Sequence, residues 1–324
     1  MNIVVSQRVA REYGPRIRKI APRATLIVPS VQLGQVRWSD DVSRADVCCF
    51  SEDLWQEEEL RRTALPEVFR IEKLKWFHTF SAGVDAPVFQ MLLDRGTLLT
   101  NSSGASAPSI AQYVLAMMLH VTKRVGEWRE QQARREWRQL GTGELTGQTV
   151  GIVGTGAIGG EVARLAHAFG MRVLGVRRSG KPTRYVHEMF TVRRLLSMLK
   201  QCDFVVLACP LTQETEGLIG ERELRAMKPT ATLINIARGR VIDEAALIQA
   251  LREGWIGGAC LDVFSVEPLP ETSPLWDLPN VVVTPHNSGF SPLNMERSMA
   301  IFLDNLDRFV HGRKLRNLVT SVGR

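Results

Sequence analysis

Short apolar runs alternate with polar, helix-spaced stretches along most of the chain. In the first hundred residues the runs are IVVS from Ile3, ATLIVP from Ala24, ADVCCF from Ala45, LKWFHTF from Leu74 and TLLTNS from Thr97. Each has the length of a strand, and the stretches between them suit helices, so this part reads as a small α/β unit. From Ser106 to Arg138 the pattern changes. Ile110, Val114, Met117, Met118 and Val121 recur at helical spacing, then charges take over (Arg124, Glu127, Arg129, Glu130, Arg134, Arg135, Glu136), which predicts long helices. Six apolar runs follow: TVGIV from Thr149, MRVLGV from Met171, CDFVVLACP from Cys202, ATLINIA from Ala231, GACLDVF from Gly258 and VVVTP from Val281. They predict a doubly wound parallel sheet with both faces buried. Residues Ser291 to Val310 read as an amphipathic helix with Met295, Met299, Phe302, Leu306 and Phe309 on one face, and we expect it to return to the first domain.

The composition agrees with this picture. At 324 residues, 44% hydrophobic and 23% charged, the chain is expected to form two globular domains, each with its own core. Apolar runs such as Val114 to Leu119 fall well short of the roughly 18 residues that a membrane-spanning helix needs. The opening MNIVVSQRVA lacks the layout of a secretory signal, so export is not expected. The five cysteines, at 48, 49, 202, 209 and 260, form an odd and scattered set without a CxxC pair. Neither a disulfide framework nor a metal site is expected, and a reducing, cytoplasmic compartment is.

The net charge of +7 is local: Arg172 to Lys200 holds eight Arg or Lys against the single acid Glu188. Charge alone leaves open a nucleic-acid partner or one phosphorylated ligand. The neighbouring sequence favours the ligand. Strand TVGIV runs into Gly154-Thr155-Gly156-Ala157-Ile158-Gly159 and then into a helical stretch, the order that a dinucleotide-binding loop requires. The first glycine allows the tight turn, the second lets backbone approach a pyrophosphate, and the third lets helix and strand pack closely. The helix start supplies N–H donors and a positive dipole to the anion. About 20 residues on, an NAD site carries a carboxylate for the adenosine ribose. This chain reads Arg177-Arg178-Ser179 there, two guanidiniums and a hydroxyl suited to a 2′-phosphate, so NADP(H) is expected over NAD(H).

Three segments each lie just beyond a late apolar strand: Asn235-Ile236-Ala237-Arg238-Gly239-Arg240, Asp262 to Pro268, and Thr284-Pro285-His286-Asn287-Ser288-Gly289. The carboxyl ends of strands in such a sheet face the ligand crevice, so Arg238, Glu267 and His286 are expected to converge. Reduction of a 2-oxo acid needs a cation for the carboxylate, an acid for the carbonyl oxygen and a group that holds the acid in the right state. Arg238 offers a planar, permanently charged fork. Glu267 beside His286 stabilises a protonated imidazole poised to donate.

At these residues the sequence resembles the D-isomer specific 2-hydroxyacid dehydrogenases, especially their short glyoxylate/hydroxypyruvate reductase branch. The resemblance runs through Ser81-Ala82-Gly83-Val84-Asp85, Thr100-Asn101 with Gly104, the dinucleotide loop, Pro210-Leu211-Thr212 with Thr215, and the three late segments. It implies an α/β fold of two Rossmann-like doubly wound domains with a cleft between them. A flavodoxin-like substrate domain would comprise 1–100 and 291–324, and an NAD(P)-binding domain 101–290. It also implies an NADPH-preferring enzyme that reduces a small 2-oxo acid to the D-2-hydroxy acid. His286 would be the general acid, Glu267 its partner and Arg238 the carboxylate ligand, with backbone amides at Ala82 and Gly83 holding the carboxylate from the first domain. Further cofactor contacts are implied at Cys209, Pro210, Thr215, Ala237, Asp262, Ser288 and Gly289, Asp262 accepting from the nicotinamide carboxamide. The family usually carries Glu where this chain has Gln112. The helices of Ala105 to Gln139 are the expected homodimer surface, and Phe50 to Trp55 the expected place of substrate-lining side chains, although Phe50, Leu54 and Trp55 equally suit a core. The rival reading is a dinucleotide-sensing scaffold of the corepressor type on the same fold. No nucleic-acid or membrane partner is expected.

Overall fold

The computed structural model of this chain describes residues 1–32 and 35–320, with backbone alone at Trp55 and Gln56. The chain divides into two compact units, Met1–Ser106 with Ser291–Arg324, and Ala107–Phe290.

The first unit is built on a sheet with the spatial order Thr25–Ile27, Asn2–Val4, Val47–Phe50, Trp76–Thr79, Leu98–Asn101 and Leu318–Val319. The first five strands are parallel in flavodoxin-like order, and the last is an antiparallel edge. The apolar run from Ala24 is divided. After Ile27, Pro29–Gln32 leaves the sheet and pairs with Gln35–Trp38 in a separate hairpin, as suits a residue without an N–H to give to a ladder. One face of the sheet packs Val4, Cys48, Phe77 and Leu99 against Leu60, Ala64 and Val68 of helix Glu58–Phe69. The other packs Ile3, Val5, Cys49 and Trp76 against helices Gln7–Ile20 and Asn294–Val310. Met295, Met299, Phe302 and Leu306 are buried there, and Phe302 stacks on Trp76 at 5.2 Å between ring centroids. Phe50 and Leu54 are core residues of this unit, which decides them against a pocket lining, and the Trp55 side chain lies outside the described residues.

The second unit has seven parallel strands in the order Glu188–Phe190, Arg172–Val176, Thr149–Val153, Phe204–Leu207, Thr232–Asn235, Gly258–Leu261 and Val281–Val283. The sequence predicts six of these. The seventh, Glu188–Phe190, is a short edge strand with a charged residue in it and so carries no apolar run. Both faces are buried. Val150, Ile152, Val173 and Val206 pack against helices Ala107–Thr122 and Ala157–Ala168, and Val153, Leu174, Val205 and Leu207 pack against the opposite layer. The long helical stretch breaks after Lys123, where Arg124 takes a left-handed conformation, and resumes as Val125–Arg134. Among the described residues no helix is long and apolar enough to cross a membrane.

One buried group makes the first unit sensitive to acid. His78 is fully buried, with Nδ1 2.8 Å from Thr100 Oγ1 and Nε2 3.1 Å from Ser102 Oγ. Burial pushes its pKa down from 6.5 to about 3. The folded chain therefore stays neutral at His78 while the unfolded chain takes up a proton below pH 6.5. This contribution to stability is intact above that pH and falls, by at most about 1.4 kcal/mol per pH unit, as the pH drops toward 3. We expect the urea midpoint to decline from pH 7 to pH 4.5 more steeply in the wild type than in His78→Gln; parallel declines would rule the effect out.

Candidate active site

The second unit's strands end in register. Hydrogen-bonded partners run Phe190, Val176, Val153, Leu207, Asn235, Leu261 and Val283 across the sheet. Every loop that follows therefore leaves one edge, the carboxyl edge where doubly wound sheets bind ligands. The strand order reverses between Thr149–Val153 and Phe204–Leu207, which places Gly154 beside Ala208 and Cys209.

Close approach explains the glycines at this point. Gly154 has φ of 97°, and a side-chain carbon on it would lie 2.6 Å from the Cys209 nitrogen. One on Gly159 would lie 2.0 Å from the Gly154 carbonyl oxygen. Gly156, by contrast, faces open space at the start of helix Ala157–Ala168. Thr155 Oγ1 beside it is buried and, among the described residues, has no hydrogen-bond partner. A cradle of bare backbone, an orphan hydroxyl and a helix start carrying Ala157 and Ile158 fit a pyrophosphate. Across the switch point, Thr215 Oγ1 donates to the Pro210 carbonyl at 2.6 Å and accepts from the Thr212 amide at 2.8 Å, fixing the loop after Cys209. The Cys209 thiol is buried and its pKa is raised to about 11, so it is no nucleophile.

Arg177, Arg178 and Ser179 follow strand Arg172–Val176 at the same edge. Arg178 and Ser179 are exposed and Arg177 is half-buried. The turn is closed by the Gly180 amide on the Arg177 carbonyl, and Ser179 Oγ accepts from the Lys181 amide at 3.3 Å. Arg178 pairs with Glu214 at 3.4 Å with both side chains largely in solvent, a contact readily exchanged for a ligand.

The late segments converge as the sequence predicts at two of their three points. His286 Nδ1 lies 2.7 Å from Glu267 Oε2, and Glu267 Oε1 accepts from the Phe264 amide at 3.0 Å. A carboxylate only accepts, so Nδ1 carries hydrogen, and Nε2 is the ring nitrogen left to exchange a proton with a ligand. Arg238 is brought to the same edge by backbone. Asn235, fully buried, accepts from the Ala237 amide at 3.0 Å and donates to the Arg238 carbonyl at 3.0 Å. A side-chain carbon on Gly239 would sit 1.9 Å from the Phe264 carbonyl carbon, so the loops bearing Arg238 and Glu267 are in direct backbone contact. Half-buried Arg238 donates from Nη1 to the Ala237 carbonyl at 2.8 Å.

Asp262 has an internal role as the acceptor that shapes the following loop. It is fully buried; Oδ1 accepts from Thr284 Oγ1 at 2.6 Å and the Asn287 amide at 3.0 Å, and Oδ2 accepts from the Ser288 amide at 3.0 Å. The His286 amide donates to the Asp262 carbonyl at 2.9 Å. Ser288 is buried by this arrangement, and Gly289 continues the loop. Thr284 and Asn235 lie within the quoted motifs, but nothing in the sequence shows that they are braces. Gln112 is exposed on helix Ala107–Thr122.

In the first unit, Ala82 and Gly83 lie in the loop after strand Trp76–Thr79. Ser81 Oγ donates to the Gly83 carbonyl at 2.8 Å and Asn101 Nδ2 to the Ala82 carbonyl at 2.7 Å, which pins the peptide planes of this loop. Among the described residues no cluster of His, Cys, Asp and Glu suits a metal ion.

Comparison with known proteins gives a consistent result. The family model described as D-isomer specific 2-hydroxyacid dehydrogenase, NAD binding domain, matches residues 115–288. A glyoxylate reductase of Thermococcus gammatolerans is 39% identical over 266 residues, 79% of each chain. The crystal structure of a D-isomer specific 2-hydroxyacid dehydrogenase family protein from Aeromonas salmonicida, 34% identical, superposes with a TM-score of 0.81 over 98% of both chains. An NADPH-dependent glyoxylate/hydroxypyruvate reductase from Sinorhizobium meliloti, solved with NADP and sulfate, is 26% identical, with a TM-score of 0.76 over 98% of this chain and 97% of that one. Two-thirds of the chain and more is thus shared with relatives above 30% identity, and the chain belongs to the D-isomer specific 2-hydroxyacid dehydrogenase family of NAD(P)-dependent enzymes, in the branch that holds the glyoxylate reductases.

Proposed function

We propose that this protein reduces a small 2-oxo acid of the glyoxylate or hydroxypyruvate type to the D-2-hydroxy acid, with NADPH preferred to NADH. The observation that supports this most is the 2.7 Å pair between His286 and Glu267 on the strand edge that also carries the dinucleotide cradle. The bound dinucleotide supplies the hydride. Arg238 binds the substrate carboxylate as a planar fork and polarises the carbonyl. His286 donates its Nε2 proton to the carbonyl oxygen as negative charge develops there, and Glu267 holds the ring. The family resemblance assigns the backbone amides of Ala82 and Gly83 to carboxylate binding.

The cofactor is assigned to Gly154 through Gly159, with further contacts at Cys209, Pro210, Thr215, Ala237, Arg238, Asp262, His286, Ser288 and Gly289. Arg177, Arg178 and Ser179 take the 2′-phosphate through charge-assisted hydrogen bonds. The five buried free thiols suit the reducing cytoplasm, where we place the protein. We also infer a homodimer through Ala105 to Gln139. Trp137 is fully exposed and Trp128 44% exposed, and both line a cavity of about 550 Å³ with Gln131 and Arg135, an apolar surface suited to a second copy.

Loss of NADPH absorbance with glyoxylate, hydroxypyruvate, pyruvate and phenylpyruvate tests the reaction. His286→Ala is expected to lower kcat by about 10² to 10⁴, and Glu267→Gln to lower it less. Unchanged turnover in His286→Ala would sink the assignment, and dinucleotide binding without turnover of any acid would favour the sensing scaffold. Arg177→Ala with Arg178→Ala should raise KM for NADPH and leave that for NADH nearly unchanged; equal losses for both refute the phosphate site. Sedimentation at micromolar concentration should give a dimer for the wild type and a monomer for Trp137→Glu, whereas two identical profiles would move the interface elsewhere.

A further inference from the structure

The loop that carries His286 needs more than packing to hold it. Pro285, His286 and Asn287 are exposed, and His286 has φ of 50°, a left-handed conformation that a side-chain-bearing residue adopts only when its surroundings enforce it. Asp262 grips the loop from the sheet side. A second grip comes from helix Ala107–Thr122. Ser109 Oγ lies 3.1 Å from the carbonyl oxygens of both Ser288 and Phe290, beyond His286. Tyr113 Oη lies 2.8 Å from Thr284 Oγ1, ahead of it. Ser109 and Tyr113 are spaced i, i+4 and so stand on one helix face, where they hold the two ends of the loop.

The direction of these bonds follows from the donors available. The Asp262 carboxylate accepts, so the Thr284 hydroxyl spends its single hydrogen on Oδ1 at 2.6 Å. Thr284 Oγ1 can then only accept from Tyr113, and the phenol is the donor at the head of a chain that runs Tyr113, Thr284, Asp262. Burial raises the pKa of the Tyr113 phenol, so it keeps that hydrogen at any working pH. The Asp262 end of the chain receives the Asn287 and Ser288 amides directly after His286.

We propose that Ser109 and Tyr113 are positioning residues for the general acid: together they clamp the loop Thr284 to Phe290 and so hold the His286 ring in line with Glu267. The inference rests on the reading of His286 as the proton donor, and it extends the site to a helix that the motifs leave out. It assigns no substrate contact to either residue.

The test uses the full-length protein with Tyr113→Phe, Ser109→Ala, the double variant, Thr284→Val and Thr284→Ser. Tyr113→Phe removes one oxygen and keeps the ring in its packing. We expect kcat to fall about tenfold in Tyr113→Phe, Ser109→Ala and Thr284→Val and toward 100-fold in the double variant, the scale of loss from a misplaced catalytic group. NADPH affinity, read by fluorescence titration, and KM for the 2-oxo acid should change less than kcat, a smaller change being expected because the same loop carries Ser288 and Gly289. Thr284→Ser, which keeps the hydroxyl, should restore most of the turnover lost in Thr284→Val. Gln112→Ala, on the same helix but exposed, should behave as wild type. Retained kcat in both Tyr113→Phe and Thr284→Val overturns the clamp, as does a kcat loss matched by an equal loss of cofactor affinity. The His286 ring proton signal in NMR separates this inference from the proposed function. If the wild type turns over no 2-oxo acid, a shifted or broadened signal in Tyr113→Phe still supports the clamp, and an unchanged signal overturns it.

Discussion

The alignment of seven parallel strand ends is the constraint on which the site depends. A parallel ladder repeats evenly, so once Val153 pairs with Val176 and Leu207, and Asn235 with Leu261, every following loop starts from the same edge of the sheet. That register is held by burial on both faces, because a one-residue slip would exchange the side chains between two differently shaped cores. The dinucleotide cradle, the basic turn at Arg177 and the loops of Arg238, Glu267 and His286 thus share an edge although they are widely separated in sequence.

Register brings the loops together without fixing their shape. That is left to polar groups which accept or donate at more than one point, Asn235 and Asp262 fully buried and Glu267 exposed. Asn235 closes the turn under Arg238, Asp262 gathers the amides around His286, and Glu267 spans the Phe264 amide and the His286 ring. A buried carboxylate without partners would be costly, and the bonds to Asp262 therefore also stabilise the folded loop. The backbone contact at Gly239 adds a steric lock. The outcome is an imidazole and a guanidinium carried on loops that are braced by backbone and side-chain contacts.

The strands were legible in the sequence wherever they were buried on both faces, because a doubly covered parallel strand must be apolar throughout. Glu188–Phe190 escaped this reading because an edge strand needs no such run, and the hairpin at Pro29 escaped because proline divides an apolar stretch without changing its hydrophobicity. The phosphate loop was legible for a steric reason: Gly154 and Gly159 sit where no side chain fits, and that demand is written as glycine. Arg238, Glu267 and His286 were singled out by the chemistry of reduction together with the resemblance to a known family, and the folded chain joins two of them, His286 and Glu267, by a hydrogen bond.

What the sequence determined by itself was the class of fold and the glycines of the strand-to-helix turn, since each depends on local pattern or on a residue type that has no substitute. Tertiary structure alone decided which groups hold the others. Tyr113 and Ser109 read as ordinary positions of a helix, Asp262 as a strand-end acid and Thr284 as a residue before proline. Only the folded chain shows them joined around His286 across more than 170 residues of sequence. A hydrogen-bond chain leaves no periodic trace, because its members answer to distance and direction in space rather than to spacing along the backbone.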